Sequence, residues 1–220
     1  MIGQAGEDYL KSIYLLHQQY GMATPARVAE HLEVSAAAVT KMGRRLQELK
    51  LLRYDRRKGF VLTDEGTQIA LEIIRHHRLI ELYLQKALGY TWDEVHDEAE
   101  ILEHVISEAF EEKIDALLGH PTHDPHGDPI PSKDGEIVHV DYPTLEEMEQ
   151  GETGSIQRVS NHDASMLRYM SEQGLVPGAN IEVLEQEPYG GSIHLNVDNH
   201  PKSVGRQLAV HIFVDVDEKA

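Results

Sequence analysis

Two helix-start signals eleven residues apart, followed at once by a basic hairpin, limit this chain more than any other feature. Thr24-Pro25 puts a capping hydroxyl before a proline at the first helical position. The spacing predicts a helix over 25–32 that buries Val28, Ala29 and Leu32. Glu33-Val34-Ser35 makes a turn, and Ser35 caps a second helix over 36–50 with Val39, Met42, Leu46 and Leu49 inward. An earlier helix, 5–19, carries Tyr9, Leu10, Ile13 and Leu16 on one face. Leu52–Tyr54 and Phe60–Leu62 flank Asp55-Arg56-Arg57-Lys58-Gly59, a hairpin with a basic tip. Helix, helix, turn, helix, hairpin is the order of a winged helix-turn-helix.

The formal charge of −18 argues against nucleic acid until its distribution is considered. Residues 1–70 carry ten Lys and Arg against eight Asp and Glu; the whole negative excess lies beyond them, where ten Lys and Arg face thirty Asp and Glu. Phosphate contact depends on local charge, and a distant acidic body only weakens it. On the second helix of the pair, Ser35, Ala37, Thr40, Lys41 and Arg44 face outward as the groove-reading set. Its small first turn lets bases approach closely, and Arg56, Arg57 and Lys58 on the wing would hold phosphates. A solvated basic face on an ordinary helical bundle is the plainer alternative, but turn, caps, basic face and basic wing coincide.

Residues 64–88 and 93–118 are expected as two long helices around Gly89-Tyr90-Thr91-Trp92, the first capped by Thr63 or Asp64. The second is apolar on more than one stripe, so a partner should cover the extra face, and a two-fold homodimer is the simplest one. The Gly-, Pro-, Asp- and His-rich run 119–135 ends helix. From residue 154 the pattern alternates through 155–159, 181–184, 192–197 and 210–216, interrupted by a short helix near 164–173, as in a small β-barrel or sandwich. The expected fold is therefore mainly α with a small β domain. Its parts are a winged helix-turn-helix (1–70), a helical dimerisation and metal-binding domain (71–140) and an SH3-like β-barrel (141–220).

With 40% apolar residues the chain can bury a core, and no apolar run approaches the roughly 20 residues of a membrane span. Zero cysteines exclude disulfides and thiolate metal sites. The first eight residues lack the regions of a signal peptide, so the expected compartment is the cytoplasm.

Half of the 14 histidines fall within 76–126, among dense carboxylates, a pairing that points to a divalent metal. On one helix, Glu100, Glu103 and His104 would project together with His96 one turn earlier, and His77 and Glu81 form an i, i+4 pair upstream. Any single pair of this kind is better explained by surface salt bridges; two facing clusters leave salt bridges and a cation evenly matched on spacing alone.

The runs His77-Arg78-Leu79-Ile80-Glu81, Val95-His96-Asp97-Glu98-Ala99-Glu100 and Glu103-His104-Val105-Ile106-Ser107 resemble the diphtheria-toxin-repressor family of metal-dependent transcriptional regulators. Pro125–Pro131 is similar to that family's stretch after the dimerisation helices. Leu175–Val183 is similar to its C-terminal SH3-like domain, shared with ferrous-transport accessory proteins. The resemblance spans essentially the whole chain. It implies primary metal ligands at Asp8, Glu100, Glu103 and His104, which His77 would complete unless it joins an ancillary site with Glu81 and His96. Asp124, His126 and Asp163 (or His162) are the further ancillary candidates. The family's iron-responsive branch has Met at the position of Asp8 and Cys at that of Glu100, whereas the manganese-responsive branch has Asp and Glu. The chain resembles the latter, and carboxylates suit the harder Mn(II). It departs at Lys11, where the manganese branch has Glu. The function implied is a homodimeric, Mn(II)-dependent repressor of metal-uptake genes on double-stranded operator DNA, with Fe(II) as the alternative effector. It is not an enzyme on this reading; a Glu/His two-metal enzyme would leave the winged helix without a purpose.

Overall fold

A computed structural model describes residues 2–160 and 163–217, which form two compact units. The first comprises residues 2–77, 101–108 and 131–136; the second comprises 78–100, 109–130 and the described part of 137–217.

In the first unit, α1 (Gln4–Tyr20), α2 (Pro25–His31) and α3 (Ala36–Glu48) precede the antiparallel pair β1 (Leu52–Asp55) and β2 (Gly59–Leu62). Both expected caps form: Thr24 Oγ1 accepts from the Arg27 amide at 3.3 Å, and Ser35 Oγ accepts from the Ala38 amide at 3.2 Å. Each satisfies one of the amides a helix start leaves unpaired. Leu10, Ile13, Val28, Val39 and Leu46 are completely buried in one core with Phe60 of the wing. Thr63 caps α4 (Asp64–Tyr83) by accepting from the Gly66 amide at 3.1 Å.

The wing is tied down at its base. The Ala23 amide donates to Lys58 O, and the Phe60 amide donates to Ala23 O, both at 2.9 Å. Gly59 lies between them at φ +77°, and a Cβ there would stand 2.2 Å from Ala23 O. Gly59→Ala should therefore destabilise the first unit by about 2 kcal/mol or more, through positive φ and a backbone clash together. A urea titration followed by circular dichroism would measure it; a loss below about 0.5 kcal/mol would show that the contact can relax.

The long second helix expected over 93–118 is two helices, α5 (Val95–Leu102) and α6 (Glu108–Leu117). Val105-Ile106-Ser107, a run of poor helix formers, falls in the break. Glu103 and His104 consequently stand in a turn and not on a helical face. The helix expected over 64–88 keeps its extent, but its last residues, Leu84–Leu88, form a π-helical turn.

In the second unit, β3 (Thr153–Val159), β4 (Asn180–Gln186), β5 (Ile193–Val197), β6 (His200–Val204) and β7 (Ile212–Val216) form an antiparallel sheet in the order β6-β5-β4-β3-β7. Among the described residues the two edge strands do not pair, so the expected barrel is an open sheet. Helix α7 (Ala164–Gln173) lies where it was expected; the short helix α8 (Arg206–Ala209) delays the last strand to Ile212. Strand β6 contains Pro201, and its position at the edge spares the ladder a missing donor. The β5–β6 hairpin turns through Asp198 and Asn199, both at positive φ. Leu145, Ile156, Leu167, Met170, Val183, Leu195 and Val214 form the core here, with Trp92.

Candidate metal centres and nucleic-acid surface

In the first unit α1 brings Asp8 to the turn after α5. His104 Nε2 lies 2.7 Å from Asp8 Oδ1 and 3.2 Å from Glu103 Oε1. The three side chains offer ligand atoms all within 4.8 Å of one another. Glu7, which sequence reasoning missed, accepts from His104 Nδ1 at 2.8 Å. With the proton on Nδ1, Nε2, which is buried and meets no partner in hydrogen-bond geometry, is directed among the carboxylates. An imidazole held by a carboxylate on one nitrogen, with the other bare, is the arrangement of a metal-ligating histidine. The residues present fit a divalent cation.

Glu103 is fully buried and both its oxygens accept from Lys11 Nζ. Oε1 lies 3.0 Å from that ammonium and also faces His104, whereas Oε2 lies 2.7 Å from it and 2.5 Å from His77 Nδ1. His77 thus reaches the primary cluster through Glu103. His76 Nδ1 contacts the Glu103 carbonyl at 3.1 Å, holding the turn from the backbone side. Glu100 belongs to the second unit, where it faces His96 Nε2 at 3.8 Å on its own helix.

The second unit holds another cluster, entirely buried: Glu81, Asp124 and His126. Glu81 Oε1 is 3.3 Å from His96 Nδ1, and its Oε2 is 3.8 Å from His126 Nδ1. His126 Nε2 donates to the Trp92 carbonyl at 2.9 Å, so Nδ1 is the nitrogen turned toward the carboxylates. The two rings stack with centroids 5.4 Å apart. Asp124 Oδ1 accepts from the amides of His126 and Asp128, closing a tight loop. Gly127 lets that loop touch the sheet, since a Cβ there would meet Gln157 O at 1.9 Å. Arg78 lies near Asp124 and Asp128 and donates to the Pro129 carbonyl.

Burial, with Asp128 and Glu81 close by, pushes the Asp124 carboxyl up to about 8. Burial alone would lower His126, but its contact with the Glu81 carboxylate outweighs that and raises it to about 9. Negative charge is thus poorly tolerated in this cluster without a cation, and its oxygen and nitrogen donors fit one. Asp163 is the N-cap of α7: it accepts from the Ser165 hydroxyl and from the Met166 amide, the latter at 2.9 Å, and these bonds keep its carboxyl below the usual range. His162 lies outside the described residues.

Ser35, which caps α3, and Ala37, Thr40, Lys41 and Arg44 on it are all exposed, as are Arg56, Arg57 and Lys58 on the wing. The wing tip is shaped by Asp55 Oδ1, which accepts from the amides of Arg57 and Lys58 at 2.7 and 2.9 Å. Those bonds hold the Asp55 carboxyl below its ordinary range and turn three basic side chains outward.

A winged helix with a basic face, in a chain that also carries carboxylate–imidazole clusters, defines a metal-responsive DNA-binding regulator. Comparison with known proteins agrees along nearly the whole chain. Residues 1–60 match the iron dependent repressor N-terminal DNA binding domain, 63–132 the iron dependent repressor metal binding and dimerisation domain, and 144–216 the FeoA domain. The iron-dependent repressor IdeR of Mycobacterium leprae is 32% identical, covering 95% of this chain and 96% of its own. A solved manganese-dependent transcriptional repressor in complex with manganese is 36% identical with a TM-score of 0.87, covering 96% and 99%. IdeR of T. acidophilum is 28% identical with a TM-score of 0.77, covering 96% and 97%. The chain belongs to the iron-dependent, or diphtheria-toxin, repressor family of metal-dependent transcriptional repressors, which are regulators and not enzymes. No helix among the described residues is long and apolar enough to cross a membrane.

Proposed function

We propose that the chain is a homodimeric, Mn(II)-activated repressor that binds operator DNA upstream of metal-uptake genes in the cytoplasm. The observation that carries the metal assignment is the donor chemistry. Asp8, Glu103 and His104, and likewise Glu81, Asp124 and His126, offer only carboxylate oxygen and imidazole nitrogen. Hard donors of this kind suit Mn(II), and no thiolate is available anywhere in the chain. Fe(II) is the second reading, favoured by the likeness to an iron-dependent repressor.

A bound divalent ion supplies the charge that holds these mutually repelling acceptors together. Asp8 stands on α1, which shares one core with α2, α3 and the wing. Drawing Asp8 toward the 103–104 turn therefore orients the helix that reads DNA. Glu7 keeps His104 in the ligating tautomer, and Trp92 O does the same for His126. The coupling between metal and DNA is expected at about 1–3 kcal/mol, the usual range for allostery. Ile101 and Val105 in the first unit, each more than 60% exposed, provide apolar surface for a dimer.

The test is a fluorescence-anisotropy titration of chelator-stripped protein on a palindromic metal-transporter promoter fragment, adding Mn(II), Fe(II) and Zn(II) in turn. Tight binding only with Mn(II) is the expected result. A stronger response to Fe(II) would transfer the assignment to iron, and binding indifferent to every metal would sink the sensor.

A further inference from the structure

The primary cluster contains a cation of its own. Lys11, on α1 one turn beyond Asp8, is buried, and its ammonium donates to both oxygens of Glu103, at 2.7 and 3.0 Å. It also lies 3.2 Å from His77 Nδ1. Glu103 is fully buried and one of the three converging ligands. Around it stand Glu7 and Asp8, two further carboxylates, on the same helix as Lys11. A carboxylate with no exposure needs a positive partner at all times, and Lys11 is that partner before any metal arrives.

We propose that Lys11 is a resident counter-cation for Glu103. It keeps the empty cluster folded, and it sets metal affinity by sharing Glu103 with the incoming ion. The inference rests on the metal-centre assignment made above. Two consequences follow from charge alone. In the metal-free protein the ammonium offsets a buried carboxylate, so removing it destabilises the empty form. In the loaded protein the same ammonium repels the divalent ion across one carboxylate, so removing it tightens binding. A lysine that merely packed its stem against the core would act on both forms equally. Lys11 is thus a positioning and affinity-setting residue, distinct from the ligands.

Full-length wild type, Lys11→Met and the more polar Lys11→Gln would be melted by calorimetry, chelator-stripped and with saturating Mn(II). Mn(II) affinity would be read from the electron paramagnetic resonance signal of the free ion. The expected result is a lowered melting temperature for the stripped variants, a Mn(II)-induced rise larger than in wild type, and primary-site binding at least about tenfold tighter. Variants that fold only when Mn(II) is present would give the same answer in stronger form. A wild-type rise that both variants reproduce at unchanged size, with unchanged affinity, would overturn the inference while leaving the metal centre standing. So would variants that fail to fold even with Mn(II). A wild-type protein that shows no Mn(II)-induced rise would instead remove the metal centre itself.

Discussion

Glu103→Gln should abolish metal-activated operator binding and also cost the protein about 3 kcal/mol of stability, because it strands the Lys11 ammonium in a buried site. Asp8→Asn should lose the same metal response without that loss. Asp8 is about one-third exposed, and neutralising it relieves repulsion with Glu7 and Glu103. The paired change Lys11→Met with Glu103→Gln should recover most of the stability and none of the response. Anisotropy with and without Mn(II), beside urea titrations, distinguishes the three variants. A Glu103→Gln protein that keeps its metal response would refute the assignment of the cluster.

The chelator-stripped protein should grow less stable as pH rises from 6 to 8, against the usual behaviour of a carboxylate-rich chain. Asp124 holds its proton up to about 8 in the fold, against 3.8 ordinarily, so the fold loses ground to the unfolded chain as pH climbs between those values. His126 has the same sign. Its raised value of about 9, against 6.5, gives a contribution that is complete below 6.5 and disappears on the way to 9. With Mn(II) bound the trend should reverse, since the ligands must shed protons to bind and the cation then offsets the carboxylates. The expected fall in melting temperature without metal is roughly 5 °C or more across that interval, measured by calorimetry. A flat or rising profile in chelator would contradict the charge frustration assigned to Asp124 and His126.

Much of this was legible in the sequence where side chains act locally. Thr24, Ser35 and Thr63 cap helices as their positions imply, and the basic tip after Asp55 is a turn set by that residue's own carboxylate. The break after Leu102 was not legible, because apolar residues continue on both sides of it and periodicity registers no interruption. Strand β6 was hidden by Pro201, which argues against a central strand and is harmless at an edge. The ligand types could be read, in part through the family resemblance, but not the groups that orient them. Glu7 reaches His104 across 97 positions, and Trp92 holds His126 through a carbonyl that carries no sequence signature. Asp163 has the right chemistry for a metal ligand and the right position for a helix cap, and among the described contacts it serves as the cap.

The stacking of Trp92 on His126 has an optical consequence. The chain contains one tryptophan, so its intrinsic indole emission comes from a ring lying against a candidate ligand of the second cluster and from nowhere else. A paramagnetic ion seated there would quench that emission, whereas a diamagnetic one would leave or brighten it as the imidazole gives up its proton. Filling of the second cluster can therefore be followed by light on the unlabelled protein, separately from the dark site around Glu103.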